Sequence, residues 1–499
     1  MKKESFKSKI VKNSFWGFLS GSINRVGSLI FTIFIARLLM PEGYGLYSIV
    51  ISVVMILHIF ADLGINAAFV KYSSSALNNN KKKLSAYYRY LLKLKFTFVI
   101  IFSGLALILA YPLAFWFFKD ASLFFPFIIG AFYIFALSFE GFYLQMFYSL
   151  ERVKYVGLKE ILNQILKISF PIILMLFVAS SYHLMGVFIS LTLISIIMVL
   201  FIICYLKRLI PIMFEKSDEQ IDKRRIRRFV GYLTIASISN AFFVYIDSIM
   251  LGFFLKPEFV GYYKAAYSLV MGLIGFIGFP NAIFLAAFTK SNKERKERTF
   301  NQIIRYLSIL IIPSIAGLLI LGKFFIKFFF GESYLPATLP LNFLALLILP
   351  VMIIGIFVPL FSSEEKPEIF SKIILFITIL NIFLNIIFIK LFLVISEIWA
   401  VAGAAIATLI SWGIYFIAIL IASKKDGFKV RLDCITKPVI ASVIMAGVLL
   451  GVLRLIKDVN LFWGIISILL GCLVYFAVMI LIKGLRKEDI DLLKIIVHR

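Results

Sequence analysis

Charged residues and cysteines are both scarce in this sequence. Asp, Glu, Lys and Arg make up 16% of its 499 residues, whereas soluble domains carry about 25%. The three cysteines, Cys204, Cys434 and Cys472, lie far apart in the chain, which argues against a disulfide framework and a cysteine metal site. The sequence also lacks a Walker-type phosphate-binding loop, so nothing in it implies ATP as an energy source. We therefore predict no cofactor and no bound metal.

Apolar residues are abundant instead. Hydrophobic types form 62% of the chain, and apolar runs long enough to cross a hydrocarbon core of about 30 Å recur along its whole length. We predict an all-α, polytopic membrane protein with fourteen transmembrane helices. The predicted segments are 14–39, 43–70, 90–118, 121–149, 155–180, 182–206, 229–255, 258–289, 299–330, 335–363, 367–393, 396–423, 438–457 and 460–483.

The formal net charge of +26 does not indicate nucleic-acid binding, because the basic residues are spread over short loops at alternate ends of the apolar runs. Lys and Arg accumulate on the cytoplasmic side of membrane proteins. With a cytoplasmic N-terminus, the inner segments include 71–95, 150–160 and 206–228, and most basic residues fall in such segments. We predict a multi-pass protein of the cell membrane with both termini in the cytoplasm.

The same pattern divides the chain into four parts. We predict an N-terminal lobe of six helices over 1–206 and a basic cytoplasmic linker over 207–228. A C-terminal lobe of six helices follows over 229–423. Helices 13 and 14, with a cytoplasmic tail, occupy 424–499.

One short motif occurs twice, 216 residues apart, and on the predicted topology both copies lie outside. LLMPEGYGLY covers 38–47, and LKPEFVGYY covers 255–263. Proline can end one helix or start the next, and glycine permits close backbone approach at a tight corner. Because the six-helix offset preserves orientation, we predict a parallel structural repeat. The residues that match between the copies are Pro41, Glu42, Gly45, Tyr47 and Pro257, Glu258, Gly261, Tyr263.

Three stretches give the sequence a family resemblance. RVGSLIFTIFIARLLMPEGYGLYSIV, ADLGINAAFVKY and YIDSIMLGFFLKPEFVGYYKAAYSLV resemble polysaccharide biosynthesis proteins, the Wzx-type oligosaccharide flippases of the multidrug/oligosaccharidyl-lipid/polysaccharide exporter superfamily. The resemblance implies two six-helix lobes around a central cavity, like those of multidrug and toxin extruders, with two added helices. It also implies movement of a polyprenyl-diphosphate-linked glycan from the inner to the outer leaflet.

Polar residues inside the predicted helices are the candidate site, because ionisable groups are costly in a bilayer and usually face a cavity or a partner. We expect Arg25 and Lys167 to bind the diphosphate, since cations suit phosphate oxygens. We expect amide side chains to bind sugar hydroxyls. The amides are Asn24, Asn240, Gln145, Asn381 and Asn385. The groups expected to balance charge or to bind H⁺ or Na⁺ are Asp62, Glu140, Asp247 and His58.

Several alternatives stay open on the sequence. The same superfamily includes small-molecule exporters of the multidrug and toxin extrusion type and flippases for lipid-linked peptidoglycan precursors. We predict that the protein is not an enzyme, because its outer loops are short and carry no acid pair and no nucleophile with a base. Expected partners are the lipid-linked glycan, membrane lipids, H⁺ or Na⁺, and glycosyltransferases or a polysaccharide polymerase. The sequence does not identify the sugar, the lipid carrier or the coupling ion.

Overall fold

The computed structural model describes residues 6–217, 219–277, 284, 288–289, 292–364, 368–428, 433–456 and 460–485. Within these ranges the chain forms α-helices joined by short turns, and no strand occurs, so the all-α prediction is confirmed. The predicted tail after residue 485 lies outside the described residues. The helices are α1 (Phe6–Asp62), α2 (Ile65–Asn79), α3 (Lys82–Tyr111), α4 (Phe124–Ser149), α5 (Val153–Phe177), α6 (His183–Leu209), α7 (Lys223–Phe254), α8 (Pro257–Ile277), α9 (Lys293–Phe330), α10 (Thr338–Ala345), α11 (Ile348–Ser363), α12 (Glu368–Leu393), α13 (Glu397–Lys425), α14 (Thr436–Leu455) and α15 (Leu461–Leu481).

Twelve helical segments of the described chain are long and apolar enough to cross a membrane, and a thirteenth is added if Glu332–Ala345 and Ile348–Ser363, bent by 47°, form one span. The multi-pass membrane prediction is thereby confirmed. The first segment, Phe15–Leu77, has 63 residues. A straight helix of that length would be about 95 Å long, roughly three times the hydrocarbon thickness. The total of fourteen spans stays a prediction.

Both copies of the repeated motif interrupt helical structure at their proline. Met40, which precedes Pro41, has non-helical backbone angles (φ 58°, ψ 173°) and divides α1 into two arms, residues 6–39 and 41–62. A residue before proline is disfavoured in the α conformation. In the second copy α7 ends at Phe254, Leu255 is extended, and α8 starts at Pro257. Proline is favoured at a first helical position because its missing N–H has no partner there anyway.

A second break follows the second arm of α1. Leu63 and Gly64 both have positive φ, 44° and 79°, so the predicted helix 43–70 is two helices, the arm ending at Asp62 and α2. A residue other than glycine, such as Leu63, rarely adopts positive φ. The Thr234 hydroxyl of α7 donates a hydrogen bond to the Leu63 carbonyl at 3.1 Å, which satisfies one acceptor at the break.

Close contacts at glycines fix the direction in which the first arm of α1 packs on α5. A Cβ on Gly17 would lie 3.9 Å from Val153, and one on Gly27 would lie 2.6 Å from Gln164. Residue numbers rise together along both helices, so the two run parallel. The parallel direction is the one expected of predicted spans 1 and 5, because alternate spans cross the membrane in the same direction.

Contacts divide the chain into two compact units, residues 1–264 with 374–389, and residues 265–373 with 390–499. The first unit has an apolar core formed by α2, α3, α4, α6 and the start of α7, with Phe69, Phe142 and Ile226 fully buried. In the second unit α14 and α15 pack against α9. The predicted division at 206, 228 and 423 stays a prediction.

One hydrogen bond ties this C-terminal helix pair to α9. The Tyr475 hydroxyl of α15 donates to the Ile309 carbonyl at 2.8 Å. In an α-helix that carbonyl would accept from the N–H four residues later, but residue 313 is proline and has none. Tyr475 therefore supplies the donor that Pro313 lacks.

Candidate functional site

Asp62 forms a partly buried ion pair at the end of the second arm of α1. The Lys95 Nζ of α3 lies 2.7 Å from Asp62 Oδ1, and the side chains are 0% and 23% exposed, respectively. His58, one turn before Asp62, shares a hydrogen bond between its Nδ1 and the Ser138 hydroxyl at 3.0 Å. Two of the four predicted ion-coupling groups therefore lie at the helix break beside a lysine that segment 71–95 had placed in a cytoplasmic loop.

Glu140 belongs to a second buried network, which joins α4 to α5. Lys159 Nζ lies 2.6 Å from Glu140 Oε1 and 3.5 Å from Glu160 Oε2. The Gln164 amide donates to Glu160 Oε1 at 2.6 Å. All four side chains are buried. One ammonium thus bridges two carboxylates from neighbouring helices.

Lys167 lies on the same face of α5 as Glu160 and Gln164, since the spacing is i, i+4, i+7. Its side chain is half-buried. Among the described residues no carboxylate lies within ion-pair distance of its Nζ and no acceptor bonds to it. This lysine is therefore a cation inside a membrane helix without a direct counter-charge in the described chain.

Arg25 and Asn24 lie on α1 near the level of Lys167. Both are exposed, and Asn24 Oδ1 accepts a hydrogen bond from the Ser28 hydroxyl at 3.1 Å. Because Gly27 contacts Gln164, Arg25 and Lys167 are about five residues apart along two parallel helices, or about 7–8 Å in height. The structure thus brings the two predicted diphosphate ligands to similar depths on neighbouring helices.

Asp247 of α7 is the centre of a third buried group. The Tyr263 hydroxyl donates to Asp247 Oδ2 at 2.6 Å, and the Asn385 amide donates to Asp247 Oδ1 at 2.9 Å. Asn385 also donates to the Asn381 backbone carbonyl at 3.0 Å. The two asparagines predicted to bind sugar are fully buried, and one of them, Asn385, is bonded to a predicted ion-coupling carboxylate.

The two remaining amides lie apart from this group. Gln145 is half-buried and donates to the Gly141 carbonyl of its own helix at 3.2 Å. Asn240, the repeat partner of Asn24, is exposed on α7. The substrate and ion roles of all these residues stay predictions.

Sequence reasoning missed Lys95, Lys159, Glu160 and Gln164. The predicted starts of helices 3 and 5, at residues 90 and 155, left Lys95 and Lys159 at the boundary, and both were counted with the loops. α3 begins at Lys82, eight residues earlier than predicted, because Leu84 and Leu91 bury against the core. Each lysine has an acidic partner in a neighbouring helix, Asp62 for Lys95 and Glu140 for Lys159. Counting basic residues in loops does not consider such partners.

These observations describe a multi-pass helical membrane protein with three groups of polar side chains buried in one of its units. The family model for polysaccharide biosynthesis proteins matches residues 10–285, more than half of the chain. The chain belongs to this family, and the resemblance seen in the sequence is confirmed.

Two curated relatives and one solved structure show how far the likeness extends. The "Probable low-salt glycan biosynthesis flippase Agl15" of Haloferax volcanii is 26% identical over 274 residues, 53% of this chain and 56% of that protein. The "Putative O-antigen transporter" of Shigella flexneri is 26% identical over 341 residues, 65% of this chain and 78% of that protein. The chain thus spans little more than half the length of the Haloferax relative.

The solved structure of the lipid II flippase MurJ in its inward closed conformation has the same fold. The TM-score is 0.73, and the superposition covers 95% of this chain and 99% of that one. The sequences are 17% identical, so this likeness concerns the fold alone.

Proposed function

We propose that the protein is a flippase that moves a polyprenyl-diphosphate-linked oligosaccharide from the cytoplasmic to the outer leaflet by alternating access, for surface glycan assembly. The family and the names of the two curated relatives support this class of cargo. In the proposal the protein lies in the cell membrane with both termini in the cytoplasm.

Lys167 is the observation on which the substrate assignment rests. An ammonium inside a membrane helix is costly unless an anion or water meets it. A diphosphate would supply that anion, and Arg25, at a similar depth on α1, would supply a second cation with several donors. The network around Glu140 and Lys159 holds the α4–α5 side of this site in place.

The membrane potential is a sufficient driving force in this scheme. A carrier with about two negative charges moves outward in a cell whose interior is negative. Each charge contributes about 2.3 kcal/mol per 100 mV, so the diphosphate contributes about 4–5 kcal/mol. Coupling to H⁺ or Na⁺ through Asp62, Glu140 or Asp247 would add to this force.

The test is a flipping assay in proteoliposomes with an imposed potential, using polyprenyl diphosphate linked to N-acetylglucosamine. Lys167→Gln and Arg25→Ala should each abolish flipping while leaving expression and thermal stability near those of the wild type. The matched control is Lys327→Gln, which removes an exposed lysine paired with Glu332 and should flip normally. Normal flipping by Lys167→Gln and Arg25→Ala would refute the site.

The assay also separates the proposal from its rivals. Transport of organic cations, with no activity on lipid diphosphates, would identify a multidrug exporter instead. Preference for a lipid-linked muropeptide over other lipid-linked sugars would identify a peptidoglycan-precursor flippase.

A further inference from the structure

The Gln164 side chain of α5 fills a notch in the first arm of α1. A Cβ added to Gly27 would lie 2.6 Å from the Cγ, Cδ and Oε1 atoms of Gln164, so the amide occupies the space that a larger residue on α1 would need. Gln164 is only 6% exposed. At this level the α1–α5 interface is therefore closed by one side chain seated against one glycine.

Two further contacts between α1 and α5 show the same alignment of the two helices. A Cβ on Gly17 would lie 3.9 Å from Val153, and a Cβ on Gly157 would lie 3.9 Å from Ser20. The residue numbers differ by nearly the same amount in all three pairs, so one alignment holds along the whole interface. These two contacts have ordinary van der Waals lengths, and the contact at the notch is the tightest of the three.

Polar contacts hold Gln164 in the notch. Its amide nitrogen donates to Glu160 Oε1 at 2.6 Å. Lys159 Nζ in turn lies 3.5 Å from Glu160 Oε2 and 2.6 Å from Glu140 Oε1 of α4. Because all of these side chains are buried, Gln164 cannot leave the notch without taking a donor from a buried carboxylate, which is costly. The chain of contacts thus ties α1 to α5 and α4.

The oxygen of the same amide has no donor. Gln164 Oε1 is sealed from solvent and accepts no hydrogen bond within the described part of the chain. The opposite orientation of the amide would place two acceptors together, since an ionised Glu160 only accepts hydrogen bonds. A buried acceptor without a donor is destabilising, and such a group in a native structure calls for an explanation beyond stability.

The notch lies between the two proposed phosphate ligands in height. Arg25 precedes Gly27 by two residues on α1, and Lys167 follows Gln164 by three residues on α5. At 1.5 Å per residue, the two cations differ in height by about 7–8 Å. Movement of α1 along α5 or away from it would change their separation. Of the three α1–α5 contacts, the one at the notch is nearest in sequence to both cations.

The separation of two cations decides which phosphate groups they can bind together. A diphosphate presents two phosphate groups, and a guanidinium and an ammonium can each bind one of them. A monophosphate presents one group and gains less from a second cation at another height. A fixed separation therefore favours a diphosphate, and a loosened α1–α5 interface would weaken that preference.

We propose that Gln164, seated against Gly27, is a positioning residue that sets the separation of Arg25 and Lys167 and thereby selects a diphosphate over a monophosphate. This inference rests on the proposed function. It deepens that function by assigning the choice of phosphate group to the packing of α1 on α5.

The test compares N-acetylglucosamine linked to polyprenyl diphosphate and to polyprenyl monophosphate, in proteoliposomes without an imposed potential. Gln164→Ala empties the notch, and Gly27→Ala displaces the amide from it. Each should lower the ratio of diphosphate to monophosphate flipping by about tenfold, the value of one hydrogen bond to a charged group. The matched control is Gly17→Ala on the same helix, whose new methyl group meets Val153 at an ordinary distance and should leave the ratio unchanged.

A double variant adds a readout that a general loss of stability would not reproduce. When Gly27→Ala is combined with Gln164→Ala, the new methyl group on α1 enters the space vacated on α5. The helices can then return toward their original separation, so the ratio should rise above that of Gln164→Ala alone. Losses that simply add would contradict the inference. The comparison of Gln164→Ala with the double variant holds even if Gly27→Ala alone fails to fold.

The outcomes separate this inference from the proposed function. If the wild type flips the diphosphate probe and Gln164→Ala keeps the wild-type ratio, Gln164 is not a positioning residue and the flippase stands. Equal losses with both probes would also overturn the inference, because they would reflect the transport step and not the choice of phosphate. If the wild type flips neither probe, the proposed function fails and the inference fails with it.

A binding measurement does not depend on transport. Inorganic diphosphate should raise the melting temperature of the detergent-purified wild type, and that of Gly17→Ala, more than inorganic phosphate does. In Gln164→Ala the two anions should give similar rises. A wild-type difference that persists in Gln164→Ala would contradict the proposal.

Discussion

Gly45 lies directly against the backbone carbonyl of Pro257, so that a Cβ at residue 45 would overlap the carbonyl oxygen. The relationship is reciprocal, since a Cβ on Gly261 would overlap the carbonyl of Pro41. The glycine of each motif copy therefore contacts the proline of the other copy. The repetition seen in the sequence thus corresponds to a physical contact between the two copies.

Gly45→Ala and Gly261→Ala should each destabilise the protein strongly. The atom that the new methyl group meets is backbone and cannot move aside as a side chain can, so the cost should reach or exceed the about 1–3 kcal/mol typical of overpacking. Thermal unfolding of the purified variants measures it. Gly104→Ala is the control, because nothing lies within 4 Å of a Cβ there and alanine favours a helix. Unchanged melting of Gly45→Ala would contradict the contact.

The Asp62–Lys95 pair should respond asymmetrically to mutation. Asp62→Asn leaves an ammonium that is 0% exposed without its counter-charge, whereas Lys95→Met leaves a carboxylate that is 23% exposed. Breaking a buried pair costs about 3–5 kcal/mol, and we expect Asp62→Asn to approach that value and Lys95→Met to fall below it. The double variant should recover part of the loss. Equal melting temperatures for the two single variants would argue against the deeper burial of Lys95 relative to Asp62.

A different order is expected in the α4–α5 network. Lys159→Met leaves Glu140 and Glu160, both buried, without their shared cation, while Glu140→Gln leaves Lys159 still 3.5 Å from Glu160. Lys159→Met thus leaves two buried charges without a partner, whereas Glu140→Gln leaves none, and an uncompensated buried charge is costly. Lys159→Met should therefore be the less stable variant in thermal unfolding. The reverse order would show that Glu160 does not hold the ammonium.

Tyr475→Phe should destabilise the protein by about 1 kcal/mol, because it leaves the Ile309 carbonyl without a donor. The loss should depend on Pro313. In Pro313→Ala a backbone N–H can return to Ile309, so Tyr475→Phe in that background should cost little. A double-mutant cycle on melting measures this coupling. If the effects of Tyr475→Phe and Pro313→Ala are additive, the Tyr475 hydroxyl does not replace the missing backbone donor.

Composition and apolar run length were enough to predict an all-α membrane protein, because a spanning helix must be apolar over about 20 residues whatever it packs against. The prolines of the repeated motif likewise predicted where helices end. The break at Leu63 was not predicted, since leucine rarely adopts positive φ and its conformation here depends on the tertiary contacts of α2 and α7.

The candidate site was less accessible from sequence. Arg25, Lys167 and Asp247 could be selected because a charge within an apolar run is conspicuous. Lys95 and Lys159 could not, because they lie where a helix meets a loop, and only packing shows that they point inward.

The contact between the two motif copies has the form of an isologous interface, in which residue i meets residue j and j meets i. Two separate polypeptides make such a contact only as a symmetric dimer, and its strength then depends on their concentration. Here both partners belong to one chain. The association is intramolecular, and dilution in the membrane does not weaken it.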